Sequence, residues 1–126
     1  WRPEDGRCSV RLTRAHIGSA QWDHLEVVIR LLAGEPTAMP DFDLDAWNAS
    51  SVAKRDDWTP GRILADLKDA HQETMVLLDR LDDDQLQVSG THPAWDRVSV
   101  GQVFRIIVLH DGLHRRDVLR LRREMD

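Results

Sequence analysis

The 126-residue sequence predicts an all-α fold. Three observations predict it: three long segments carry apolar residues at helical spacing, each opens on a residue suited to cap a helix, and none shows sustained period-two alternation or an Asn-Gly hairpin signal. With 41% hydrophobic and 31% charged residues, the chain reads as one soluble globular domain, residues 1–126, that can bury a modest core. There is no room for a second domain.

The first segment runs from about Ser9 to Leu32, with Ser9 as N-cap and Gly34 as terminator; Val10, Thr13, Ile17, Ala20, His24, Val28 and Leu31 form its stripe. The stretch that follows, residues 33–58, is punctuated by Pro36 and Pro40 and is too long for a tight antiparallel turn. Its "DLDAWNASSVAK" portion predicts a short helix capped by Asp43, so the whole reads as a long crossover between bundle helices. The second long segment opens on "TPGR", where Thr59 caps and Pro60 takes the first helical position. Its stripe is Leu64, Leu67, His71, Thr74, Leu78 and Leu81, which turns His71 toward the bundle interior. A shorter, irregular connection follows, and Ser99 caps the third long helix, which continues nearly to the C-terminus.

Composition excludes several function classes. A net charge of -5, with basic residues scattered among acids, argues against a nucleic-acid-binding surface. No apolar run approaches the roughly 20 residues a membrane helix needs, and no leader-like segment precedes a cleavage site, so no membrane partner and a cytoplasmic location are expected. A single cysteine, Cys8, excludes an internal disulfide and reads as a small buried apolar residue. The chain begins at Trp1 and the turn-like "RPEDG", as a processed or truncated start would.

The chemistry concentrates in "RIIVLHDGLHRRDVLRLR". Val103, Ile107, His110, His114, Val118 and Leu121 share one helical face. Residues four apart rise about 6 Å and point the same way, so His110 and His114 can bind one ion from a single helix, and an ion gives both imidazoles a partner that an apolar stripe does not. A third ligand must come from another helix. His16 and His24 lie about 12 Å apart along the first helix and cannot share an ion. His24 sits nearer the centre of its stripe and His16 at its edge, and periodicity leaves the choice open.

Taken together, "CSVRLTRAHIGSAQWDHLEVVIRLLAGEP", the crossover containing "DAWNA", and "THPAWDRVSVGQVFRIIVLHDGLHRRDV" resemble the DinB family of metalloenzyme-like proteins. In that family a W-S-V-x-x-x-x-x-H-like pattern opens one helix and an H-D-x-x-H-like pattern lies on the last. The resemblance implies a four-helix bundle with a long crossover and a divalent ion held by three histidines. It carries the ligands onto His16, His110 and His114, with His24 as a pocket or core residue; Asp111 is expected to support the ligands, and the inward-facing His71 to support them, to be a supplementary ligand, or to be a core histidine bonded to a neighbour. His92, at a "THP" position, is expected to order its loop, and Asp111 and Asp117 to orient imidazoles by accepting their second N–H. Cys8 stands where the family has tryptophan. The family also places a bundle helix ahead of the position of Trp1; without it an apolar groove stays open, which that helix or a partner subunit would cover, and a homodimer is expected either way.

Three imidazoles leave an open position on the ion, as catalytic sites do. The resemblance implies an enzyme that activates a low-molecular-weight thiol, mycothiol or bacillithiol, for transfer to a small-molecule electrophile. A metal-dependent hydrolase and a non-catalytic metal-binding or dimerisation module are the alternatives. Zinc is the expected ion and nickel the alternative, since imidazole suits both.

Overall fold

Capping chemistry sets where the helices begin. The computed structural model describes residues 8–38 and 40–125, and the "RPEDG" start lies outside them. Ser9 accepts the Leu12 N–H at the head of α1 (Val10–Ala33), and Asp43 accepts the Ala46 N–H at the head of α2 (Leu44–Ala53). Thr59 accepts the Arg62 N–H at the head of α3 (Pro60–Arg80), with Pro60 in the first turn. α5 (Val100–Met125) opens on a reciprocal box: Gln102 N–H donates to Ser99 Oγ at 3.1 Å, and Ser99 N–H donates to Gln102 Oε1 at 2.8 Å. Gly34 ends α1 at φ 70°, a left-handed conformation that a Cβ would strain.

The connection from α3 to α5 is more ordered than its composition suggests. It holds one helical turn and a half, α4 (Asp83–Gln87), and an antiparallel hairpin, β1 (Ser89–Thr91) against β2 (Arg97–Ser99), with Gly90 opposite Val98. Three-residue strands are too short to display alternation, so the period-two test passes over them. The hairpin adds no layer, and the class remains all-α.

α1 packs α3 on one side and α5 on the other. Late α1 shares the main core with early α5 through Val27, Val28, Leu31, Val100, Val103 and Phe104, while early α1 brings His16 beside His110, so the two helices run antiparallel. Toward α3 the order is the reverse: Gly18 meets Leu67, and Leu25 and Ile29 share a groove with Leu77 and Arg80, so α1 and α3 run parallel. That parallel pair is the reason the crossover is long. Arg11 donates to the Arg55 and Asp56 carbonyls, and Arg55 pairs with Asp66 at 3.3 Å, tying the end of the crossover to both helices.

Two expectations change. α3 buries Ile63, Ala70 and Thr74, while Leu64 is 40% exposed and His71 faces solvent; Thr74 is buried as expected, but the rest of the buried row is shifted round the helix, and His71 is not among the residues lining the cavity beside the histidine cluster. Cys8 is exposed, because it precedes the N-cap and lies outside the helix packing. Val108, Leu109 and Leu113 on α5 are each at least 60% exposed. No helix among the described residues is long and apolar enough to cross a membrane.

Candidate metal centre

His16 lies in the second turn of α1, and His110 and His114 lie one turn apart on α5. The antiparallel packing of these helices brings all three rings together. His16 Nε2 is 3.0 Å from His110 Nε2, and one ligand atom from each of the three residues falls within 4.8 Å of the others. Zinc–imidazole bonds in a tetrahedral site place ligand nitrogens about 3.4 Å apart, inside this range. The ring centroids are separated by 4.9 Å for His16–His110, 4.7 Å for His16–His114 and 4.4 Å for His110–His114.

Such a cluster is built for neutral rings. Burial, and then the neighbouring His110 and His114, push the His16 pKa down from 6.5 to about 4. Burial also lowers the pKa of His114, followed by His110, while Asp117 and Asp111 oppose the shift. A single N–H···N contact cannot satisfy three imidazoles that meet at one point, whereas neutral nitrogens aimed at a common centre are what a divalent ion requires.

The rear nitrogens face carboxylates. His114 Nδ1 is 3.3 Å from Asp117 Oδ2, which leaves Nε2 as the ligand atom, and Asp117 is held in turn by Arg120 at 2.8 Å. His110 Nδ1 is 3.8 Å from Asp111 Oδ1, a buried atom with no hydrogen bond of its own. Asp117 therefore stands where a carboxylate fixes a metal-bound histidine's tautomer, whereas Asp111 lies near His110 but beyond hydrogen-bond distance of its ring.

One supporting residue was not anticipated. Gln21 is only 3% exposed, and its amide donates to Asp111 Oδ2 while its carbonyl oxygen lies 3.3 Å from the Thr74 hydroxyl, which is also 2.8 Å from the Ala70 carbonyl. A chain of polar contacts thus runs from α3 through α1 to the carboxylate behind His110. The available signal was an amide in the apolar row Ile17, Gln21, Leu25, Val28, since a buried amide at helical spacing must have partners.

A cavity of about 910 Å³ opens beside the cluster, with His16, His24, His92 and His110 among its walls and Phe42, Trp47 and Trp95 contributing aromatic surface. His24 lines this cavity as expected, with its ring 6.4 Å from that of His110 and its Nδ1–H donating to the Ala20 carbonyl at 2.7 Å. His92 orders its loop: its Nδ1 accepts the Ala94 N–H at 3.0 Å, and its carbonyl accepts the Trp95 N–H. Asp23 fixes Trp47 by accepting its indole N–H at 2.9 Å.

An all-α chain with a three-histidine group between two antiparallel helices, beside an apolar cavity, defines a helical protein equipped to hold a metal ion. The family profile of the DinB superfamily matches residues 1–118, and the chain belongs to that superfamily. No match was found among curated proteins or among solved structures.

Proposed function

We propose that His16, His110 and His114 hold a divalent ion, zinc first and nickel as the alternative, and that the protein is an enzyme acting at that ion on a small molecule in the adjoining cavity. The observation that carries this reading is that His16 and His110 belong both to the ligand group and to the cavity wall, so an ion held there would lie at the edge of a space able to take a small molecule. A divalent ion there supplies a Lewis acid that lowers the pKa of a thiol or water in its open position. The residues of the chain do the rest. Asp117 would hold the His114 ring in one tautomer, Gln21 fixes the Asp111 carboxylate near His110, and the apolar walls of the cavity would receive the substrate.

Within that reading the reaction is transfer of a low-molecular-weight thiol, mycothiol or bacillithiol in chemical type, to a small electrophile. What supports it is the size of the cavity, about 910 Å³, with room for two small molecules, and aromatic walls suited to the apolar part of an electrophile. In cobalt-loaded protein, adding a small thiol should produce a sulfur-to-cobalt charge-transfer band. Loading without that band would leave the metal site intact and turn the assignment toward hydrolysis; failure to load zinc, nickel or cobalt would remove the enzyme reading.

A further inference from the structure

The cavity contains a second pair of histidines whose hydrogen-bonding capacity is unspent. His24, on α1, and His92, in the loop of the hairpin, have ring centroids 5.2 Å apart. Their tautomers follow from their other contacts. The Ala20 carbonyl can only accept, so His24 Nδ1 carries the proton and Nε2 is a bare acceptor. The Ala94 N–H can only donate, so His92 Nδ1 is bare and its Nε2 carries the proton. Both Nε2 atoms are buried and neither has a hydrogen-bond partner. Burial lowers the pKa of each ring, to about 4 for His92, and keeps both in these neutral forms.

A donor and an acceptor without protein partners thus lie on rings whose centroids are 5.2 Å apart, both shielded from bulk solvent. A group that relieves both must accept from His92 and donate to His24. Carbonyls, ethers and carboxylates only accept, and ammonium groups only donate. A thiol does both weakly. A hydroxyl does both well from a single atom; an amide needs two atoms to do so, and water, which also does both, brings no apolar body to the tryptophans of the cavity.

We propose that His24 and His92 form a recognition site for the hydroxyl group of a small, largely apolar ligand, with the His92 N–H donating to the hydroxyl oxygen and the hydroxyl proton donated to His24 Nε2. The surroundings fit such a ligand: Trp95, whose ring lies 6.2 Å from that of His92, and Trp47 are about half exposed in the same cavity and offer flat apolar surface. The two Nε2 atoms are shielded in the free protein, so the ligand hydroxyl has to reach them by displacing the His92 side chain or its loop. This site concerns the same cavity as the proposed reaction and stands whether or not the triad holds an ion.

The test uses benzyl alcohol, benzyl methyl ether, which accepts but cannot donate, and toluene, which does neither. Binding to the full chain is followed through the imidazole nitrogen signals of ¹⁵N-histidine-labelled protein, with and without zinc. The alcohol should shift the Nε2 signals of both His24 and His92 saturably and bind roughly tenfold or more tightly than the ether or toluene. In a His24→Phe variant, checked for folding by circular dichroism, the preference for alcohol over ether should disappear. Equal affinity for alcohol and ether would overturn the proposal. So would alcohol binding that moves the tryptophan signals and leaves both imidazoles unchanged, or no binding by any probe. These readouts belong to His24 and His92, so they separate failure of this site from failure of the metal centre, which would appear as loss of zinc uptake instead.

Discussion

The two helices that flank α1 treat polar side chains differently. α5 turns His110, His114 and Asp111 toward α1, whereas α3 turns Ala70 and Thr74 inward and leaves His71 in solvent. Spacing accounts for the difference. At Gly18 an added Cβ would lie 3.1 Å from Asp66 Oδ2 and 3.6 Å from Leu67 Cα, so α3 approaches α1 too closely there for large inward rings. Against α5, three imidazoles with centroids 4.4 to 4.9 Å apart occupy the space between the backbones. One seam is closed by small residues. The other is opened by histidines, and the cavity lies beside it.

The largest expected effect breaks the histidine seam. Protein purified without chelator or a histidine tag should carry about one equivalent of divalent metal, and the His110→Ala, His114→Ala double variant almost none, because a lone imidazole cannot retain the ion. Elemental analysis reads the outcome directly. Metal at equal levels in both proteins would place the ion elsewhere.

Acid should separate the seams next. His16 and His92 titrate near 6.5 in the unfolded chain and at about 4 in the folded one, both depressed first by burial. Between those values the unfolded state binds more protons, so stability present above pH 6.5 is lost as pH falls through about 4. Metal-free protein should therefore show a falling urea midpoint across that window. Zinc should raise the midpoint most at the upper end, since protons compete with it for the same nitrogens.

The small-residue seam is tested from the other side. Gly18→Leu should destabilise by about 1 to 3 kcal/mol, because the added atoms meet the α3 backbone and the Asp66 carboxylate that holds Trp22 and Arg55. Gln21→Leu should keep the fold but weaken zinc binding by about tenfold, through release of Asp111 from its place behind His110. Competition with a chromogenic chelator measures that loss. An unchanged affinity would mean that Asp111 is held adequately without the amide.

How much of this was legible in the sequence follows from what each signal encodes. Caps are local, so Ser9, Asp43, Thr59 and Ser99 mark the helix starts correctly, and Gly34 marks a stop. The i, i+4 pair on α5 is also local, and Val103, Ile107 and Leu121 around it are buried as periodicity requires. The third histidine is a tertiary matter: which turn of α1 meets α5 depends on packing, and periodicity leaned toward His24 where geometry brings in His16. Family resemblance supplied that choice. The Gln21 chain and the complementary tautomers of His24 and His92 depend on atoms from separate elements, and no spacing rule reaches them.

The smallest expected effect is also the sharpest check on the spacing account. His71→Ala should change stability by no more than about 0.5 kcal/mol and leave zinc affinity unaltered, because the ring is exposed and on the face of α3 turned away from the histidine seam. His71 shares its helix with Leu64, Leu67 and Leu78 at helical spacing, the same kind of pattern that places His114 correctly. On α3 the inward row is instead Ile63, Ala70 and Thr74, and the backbone at Leu67 comes close to α1 at Gly18, which turns His71 outward. A loss of zinc affinity in His71→Ala would show that α3 rotates to bring this ring to the ion, which would require the α1–α3 contact at Gly18 to open. Paired with Gly18→Leu, the variant distinguishes a rigid seam, in which only the bulky substitution matters, from a mobile one in which both do.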